Sequence, residues 1–132
     1  MKEQVEKFLA VEKEISHEKG DFSLFALFLR EDAQDKWDLV VAAPWIDVNQ
    51  KEAYNFLVAR LKKHLQPKDL VNLSRIVIVN PDNPALVAIS SAMKVKHGIE
   101  EVQDSNFFGL PIKHAFIITS TKPKVEIESP SV

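Results

Sequence analysis

Apolar residues near the N-terminus recur at helical spacing. Val5, Phe8, Leu9 and Ile15 fall on one stripe that Glu12 interrupts, and the other faces carry Lys and Glu. The pattern predicts an amphipathic helix over residues 3–18, with Gly20 as its stop. The period then changes. The runs Phe22 to Leu29 and Trp37 to Ala43 are apolar at nearly every position, and the polar stretch Glu31 to Lys36 joins them. Two such runs predict a β-hairpin in a sheet covered on both faces.

Helical spacing returns with Tyr54, Leu57, Val58, Leu61 and Leu65. Asp47 with Gln50, and Asn49 with Glu52, both have capping-box spacing, so this helix is placed to start near Asp47 and to end before Pro67. Ile76 to Val79 is β-branched throughout and stops at Asn80-Pro81, which predicts a strand over 75–79. Asn83 and Pro84 read as the cap and first residue of another helix. Leu86, Ile89 and Met93 line its face, Lys94, Lys96 and His97 occupy its end, and Gly98 closes it. The stretch from Asp104 to Pro111 reads as a loop, and Lys113 to Thr119 as the last strand.

The order helix, strand, strand, helix, strand, helix, strand predicts one α/β domain over residues 1–121. Its sheet is expected to be mixed and four-stranded, an N-terminal antiparallel hairpin extended by two parallel right-handed crossovers, with helices on its faces. Residues 122–132, with Pro123 and Pro130 and few apolar positions, read as a frayed tail.

Composition narrows the function classes. The 132 residues suit a single domain, and 17 basic against 19 acidic residues leave a net charge of −2. A field this weak gives no general attraction for nucleic acid or an anionic membrane. The absence of cysteine excludes disulfides, thiolate nucleophiles and cysteine-ligated metals. The N-terminal segment Met1 to Lys7 lacks the apolar core of a signal peptide, and the longest apolar runs fall short of the ~20 residues of a membrane span. Together these features predict a soluble, cytoplasmic chain.

Motif chemistry is sparse. The histidines His17, His64, His97 and His114 form no HxxxH, HExxH or HxH pair, so no metal is expected. The first three sit where the helix dipole favours a cation, at the ends of the expected helices. The same reasoning accounts for the basic cluster Arg60, Lys62, Lys63, His64 and Lys68, which has no interleaved aromatic platform for nucleic acid. No glycine-rich phosphate or dinucleotide loop and no GxSxG elbow occurs, and Ser90-Ser91 lies mid-helix, so neither a cofactor nor a catalytic set is expected. The order of elements, with Asp38 entering the second strand, resembles the restriction-endonuclease-like core. That family's chemistry also needs a Glu-x-Lys beside the aspartate to hold Mg²⁺. The corresponding region here reads Ala42-Ala43-Pro44, so the resemblance implies an inactive relative.

Two candidate sites remain. If the strands containing Val40, Val77 and Ile117 run parallel, their C-terminal ends share one sheet edge, where open α/β sheets bind ligands. Asp47, Asn49, Asn80, Asp82, Asn83 and Thr119 then form the expected ligand site. Helix starts favour an anion there, and Asp47 and Asp82 favour instead a cation such as Mg²⁺ bridging to phosphate. The aromatic residues Trp45, Phe107 and Phe108, set in loops, read either as core plugs or as an interface, and suggest a homodimer. The functional expectation is a binding or regulatory module acting through protein contacts with another protein or a second copy. A nucleic-acid-processing or phosphate-handling enzyme is the alternative.

Overall fold

The computed structural model describes residues 1–32 and 35–121, so the tail expected over 122–132 lies outside the described residues. The elements are α1 (Val5–Lys19), β1 (Leu24–Arg30), β2 (Trp37–Ala42), α2 (Pro44–Val48), α3 (Gln50–His64), α4 (Pro67–Leu70), β3 (Leu73–Ile78), α5 (Pro84–Ala92), β4 (Glu100–Phe107) and β5 (Leu110–Ser120). They form an α/β structure around one five-stranded mixed sheet of order β3-β2-β1-β5-β4.

Alternation along the strands divides the core in two. Phe25, Leu27, Trp37, Leu39, Val41, Phe116 and Ile118 face one side, where α1 contributes Val5, Phe8, Val11 and Ile15 and α3 contributes Ala53, Leu57 and Leu61. Burial of a large apolar side chain such as Phe8 is worth about 1.5–3 kcal/mol, so two 15-residue helices hold this face firmly. Leu24, Ala26, Phe28, Val40, Ala42, Ala115 and Ile117 face the other side, where the nine-residue α5 supplies only Leu86 and Ile89 as buried cover. The predicted coverage of both faces is present but unequal.

The hairpin β1–β2 is antiparallel, from Leu24 opposite Ala42 to Leu29 opposite Trp37. The crossover through α3 sets β3 parallel to β2, with Val77 opposite Val40. The rest of the expected topology is corrected. The sheet has five strands, not four, and holds one parallel pair, not two. The stretch read as a loop contains the second half of β4, joined to β5 by a tight turn in which Phe108 (φ 55°) and Gly109 (φ 75°) are both left-handed, as two-residue hairpins require. β5 then inserts beside β1, antiparallel, with Leu24 opposite Ser120. Because β1 opposes both neighbours, β5 still points the same way as β2 and β3.

Local boundaries shift as well. Asp47 lies inside the short α2 and caps nothing, while Asn49 caps α3 by accepting from the Glu52 amide at 3.2 Å. Asn83 caps α5, accepting from the Ala85 amide at 2.9 Å. That helix stops at Ala92 rather than Gly98, because Val95 leaves to bridge Ser120 at the end of β5. His97 therefore lies outside the helix end where the dipole argument placed it.

Candidate functional site

The thin cover over the second face leaves a cleft of about 250 Å³. Its floor is Phe28, Val40 and Val77, and its rim includes Asn80 and Asn83. Phe107 roofs part of it, stacked on Phe28 with ring centroids 4.9 Å apart, and Phe108 lies 6.4 Å from the same ring. At one end Asp38, only 4% exposed, is gripped by two guanidinium groups. Arg30 Nε donates to its Oδ2 at 3.1 Å and Arg75 Nη2 to the same oxygen at 3.3 Å. Oδ1 lies 3.2 Å from Arg75 Nε but outside hydrogen-bond geometry. A buried carboxylate needs such partners to offset its desolvation. Arranged this way, Asp38 is committed to cations of the protein itself.

β3 borders that cleft and ends the sheet. Arg75 and Val77 point toward the cleft, while Leu73 and Ile76 point to the α3 side. There a shallower hollow of about 200 Å³ is walled by Tyr54, Val58, Leu61 and Leu70. The Val79 amide donates to Val41 O of β2, so by alternation Val77 also turns its backbone groups inward while Ile76 and Ile78 turn theirs outward. No strand pairs with that outer edge among the described residues.

A second polar cluster lies on the α1 side. Glu12 is fully buried and accepts from Thr119 Oγ1 at 2.8 Å, from Ser16 Oγ at 3.1 Å and from His97 Nδ1 at 2.7 Å. The His97 amide donates to Thr119 Oγ1 at 3.1 Å, and His97 itself holds a left-handed φ of 53°. Such a backbone persists in a non-glycine residue only when surrounding contacts hold it. The cluster ties α1, β5 and the lead-in to β4 together. Its signal in the sequence is Glu12, the one charged residue in an otherwise apolar stripe.

The expected edge site is brought together only in part. Gln50 Nε2 donates to Asn80 Oδ1 at 3.3 Å, which joins the first residue of α3 to the loop before α5. Asn49 and Asn83 spend their side chains as caps, and Asp47 and Asp82 are exposed. Thr119 is fully buried within the Glu12 cluster, away from those loops. Trp45 packs edge-on against Phe22 and Phe56 and donates Nε1 to Gly20 O at 3.1 Å.

Several other titratable groups are held in pairs. His64 and Arg60 hold the Glu14 carboxyl below its ordinary range, and Glu18 with Glu14 raises the Arg60 guanidinium above its own. Arg60 also lies over the Phe56 ring, so Arg60 and His64 of the basic cluster at the end of α3 are already engaged. Lys7 donates to Asp69 at 2.7 Å and, with the Gln66 amide, lowers its carboxyl. His114 bonds Glu101 at 2.6 Å and lowers that carboxyl. Among the described residues, no three His, Asp or Glu side chains are grouped to hold a metal, and no helix is long and apolar enough to cross a membrane. Comparison of the chain with protein-family models, with curated proteins and with solved structures finds no match.

Proposed function

We propose that this chain is a protein-contact module whose docking element is the outer edge of β3, and that its partner there is a second copy of the chain. The observation that carries this reading is the open edge of Leu73–Ile78, apolar at four of its six positions and flanked by a hollow on each face. An unpaired edge of this kind is a template for another strand, with backbone bonds giving affinity and flanking hollows receiving side chains. Antiparallel pairing about a two-fold axis at Ile76 would set Arg75 against Val77 of the second copy, so the two arginines would not oppose each other.

Asp38 gives the enzyme alternative no support. Its carboxylate is engaged by Arg30 and Arg75, and an Mg²⁺ ion there would have to displace both.

Sedimentation over a micromolar concentration range tests the reading. The expected species has twice the 15.0 kDa mass of the chain, and Ile76→Pro, which deletes an outward donor, returns it to a single chain. Ser74→Lys, at an exposed position of the same strand, gives the same loss without touching the core. A wild-type protein that sediments as one chain throughout, or a dimer indifferent to both changes, overturns the assignment.

A further inference from the structure

We infer that a small phosphate-bearing anion binds in the open groove between the end of α5 and the end of β5. The groove is lined by Ser90, Ser91, Lys94, Val95, Lys96 and Ser120, with Thr121 at its rim, and encloses about 500 Å³. It lies apart from β3 and from the cleft over Phe28. Two independent features point to a ligand. The first is charge. Lys94 and Lys96 alternate along an extended segment whose Met93 and Val95 pack on the core, so both ammonium groups lie on its exposed side. Lys96 is paired with Asp21 at 3.1 Å, whereas Lys94 makes no ion pair among the described residues. The groove therefore keeps an unspent positive charge.

The second feature is Ser120. Its residue is fully buried, and its hydroxyl has no hydrogen-bond partner among the described residues. Its backbone is satisfied, since its amide and carbonyl exchange bonds with Val95 at 2.7 and 3.1 Å. The neighbouring Ser90 hydroxyl is also spent, on Val87 O at 3.0 Å. Buried polar groups are otherwise paired almost without exception, so a lone hydroxyl in a groove wall calls for an outside acceptor. A phosphate oxygen is such an acceptor, and its remaining oxygens suit the two lysines and the exposed Ser91. The carbonyl end of α5 lies alongside and disfavours an anion, so the lysines must outweigh it and binding should weaken with salt.

The probe is inorganic phosphate, titrated at constant ionic strength and followed by amide chemical shifts and by thermal melting. Shifts should centre on Lys94 to Lys96, Ser120 and Thr121, and phosphate should raise the melting temperature. The double change Lys94→Ala, Lys96→Ala should weaken binding about tenfold or more, as the loss of charge-assisted contacts implies. Ser120→Ala supplies the sharper readout. It removes an unpaired hydroxyl, so without phosphate the melting temperature should hold or rise, while the gain produced by phosphate should shrink. Shifts spread evenly over Lys62, Lys63 and Lys68, no shifts at millimolar phosphate, or an unchanged gain in Ser120→Ala would each overturn the site. Capture of the protein by vesicles containing phosphatidate, with no response to free phosphate, would also overturn it by assigning the groove to a membrane headgroup.

Discussion

The two edges of the sheet are built on opposite principles. β4 ends one side with Glu100, Glu101, Gln103 and Asp104, and the segment leading into it is kinked at His97 and pinned to Glu12. Acidic side chains and a local distortion are the usual means of keeping a free edge from pairing. β3 ends the other side with Ile76, Val77 and Ile78, half-buried and free of proline or lysine. Its one charge, Arg75, is paired with Asp38 while remaining about half exposed. The same sheet thus carries one edge lined with acids and one left apolar and unpaired among the described residues.

The contrast can be tested by giving β4 the character of β3. Glu100→Thr with Glu101→Val should create a second adhesive edge. If β3 pairs copies in twos, two such edges per chain build open-ended assemblies whose mass climbs with concentration. A species of fixed mass would show that the acids are not what closes this edge. Next in size is the anchor. Glu12→Ala leaves Thr119, Ser16 and His97 without their shared acceptor and should cost roughly 2–4 kcal/mol in urea denaturation. Amide exchange in this variant should rise first in the 95–102 segment, before β3 responds. Uniform loss of protection would mean that Glu12 supports the whole fold rather than this edge.

The smallest effect concerns pH. The Glu101 carboxyl is lowered by His114, with a smaller contribution from Lys2, so the folded form holds its proton less tightly than the unfolded chain. Stability from this pair is therefore present above the ordinary glutamate range and lost as pH falls through the lowered value. Glu101→Gln should lower the melting temperature slightly at pH near 7, and the gap should close as pH falls through the lowered carboxyl value and the glutamate becomes uncharged like the glutamine. A gap that persists in acid would mean that the glutamate acts through packing.

The two edges also differ in how far the sequence disclosed them. β3 was legible because four β-branched residues in a row, stopped by Asn80-Pro81, have few alternatives. The caps Asn49 and Asn83 were legible for a similar reason, since their bonds reach only two or three residues along the chain. β4 was missed because a strand paired on one side needs no apolar face, and Val102 and Phe107 are its only apolar residues. Its turn gave little warning, since Phe108 occupies a left-handed position that usually takes Asn, Asp or Gly. Missing β4 led to the wrong partner for β5, and so to a second parallel crossover that does not exist. Of the expected site, the Asn80 contact with Gln50 and the two caps lie close together, but Thr119 depends on Glu12, more than a hundred residues away. No local pattern reports a bond of that span.

The central position of β1 has a consequence for how the chain is made. β1 is the most apolar strand, yet it pairs with residues 37–42 on one side and with residues 112–120 on the other. A chain synthesised from its N-terminus supplies the first neighbour almost at once and the second only when residues 112–120 have left the ribosome, about seventy residues later. Between the synthesis of β2 and that of β5, Leu24 to Phe28 therefore present a bare, hydrophobic flank. In such a layout the sheet cannot close before β5 is made, and whatever shields nascent chains in the cell has to protect β1 until then.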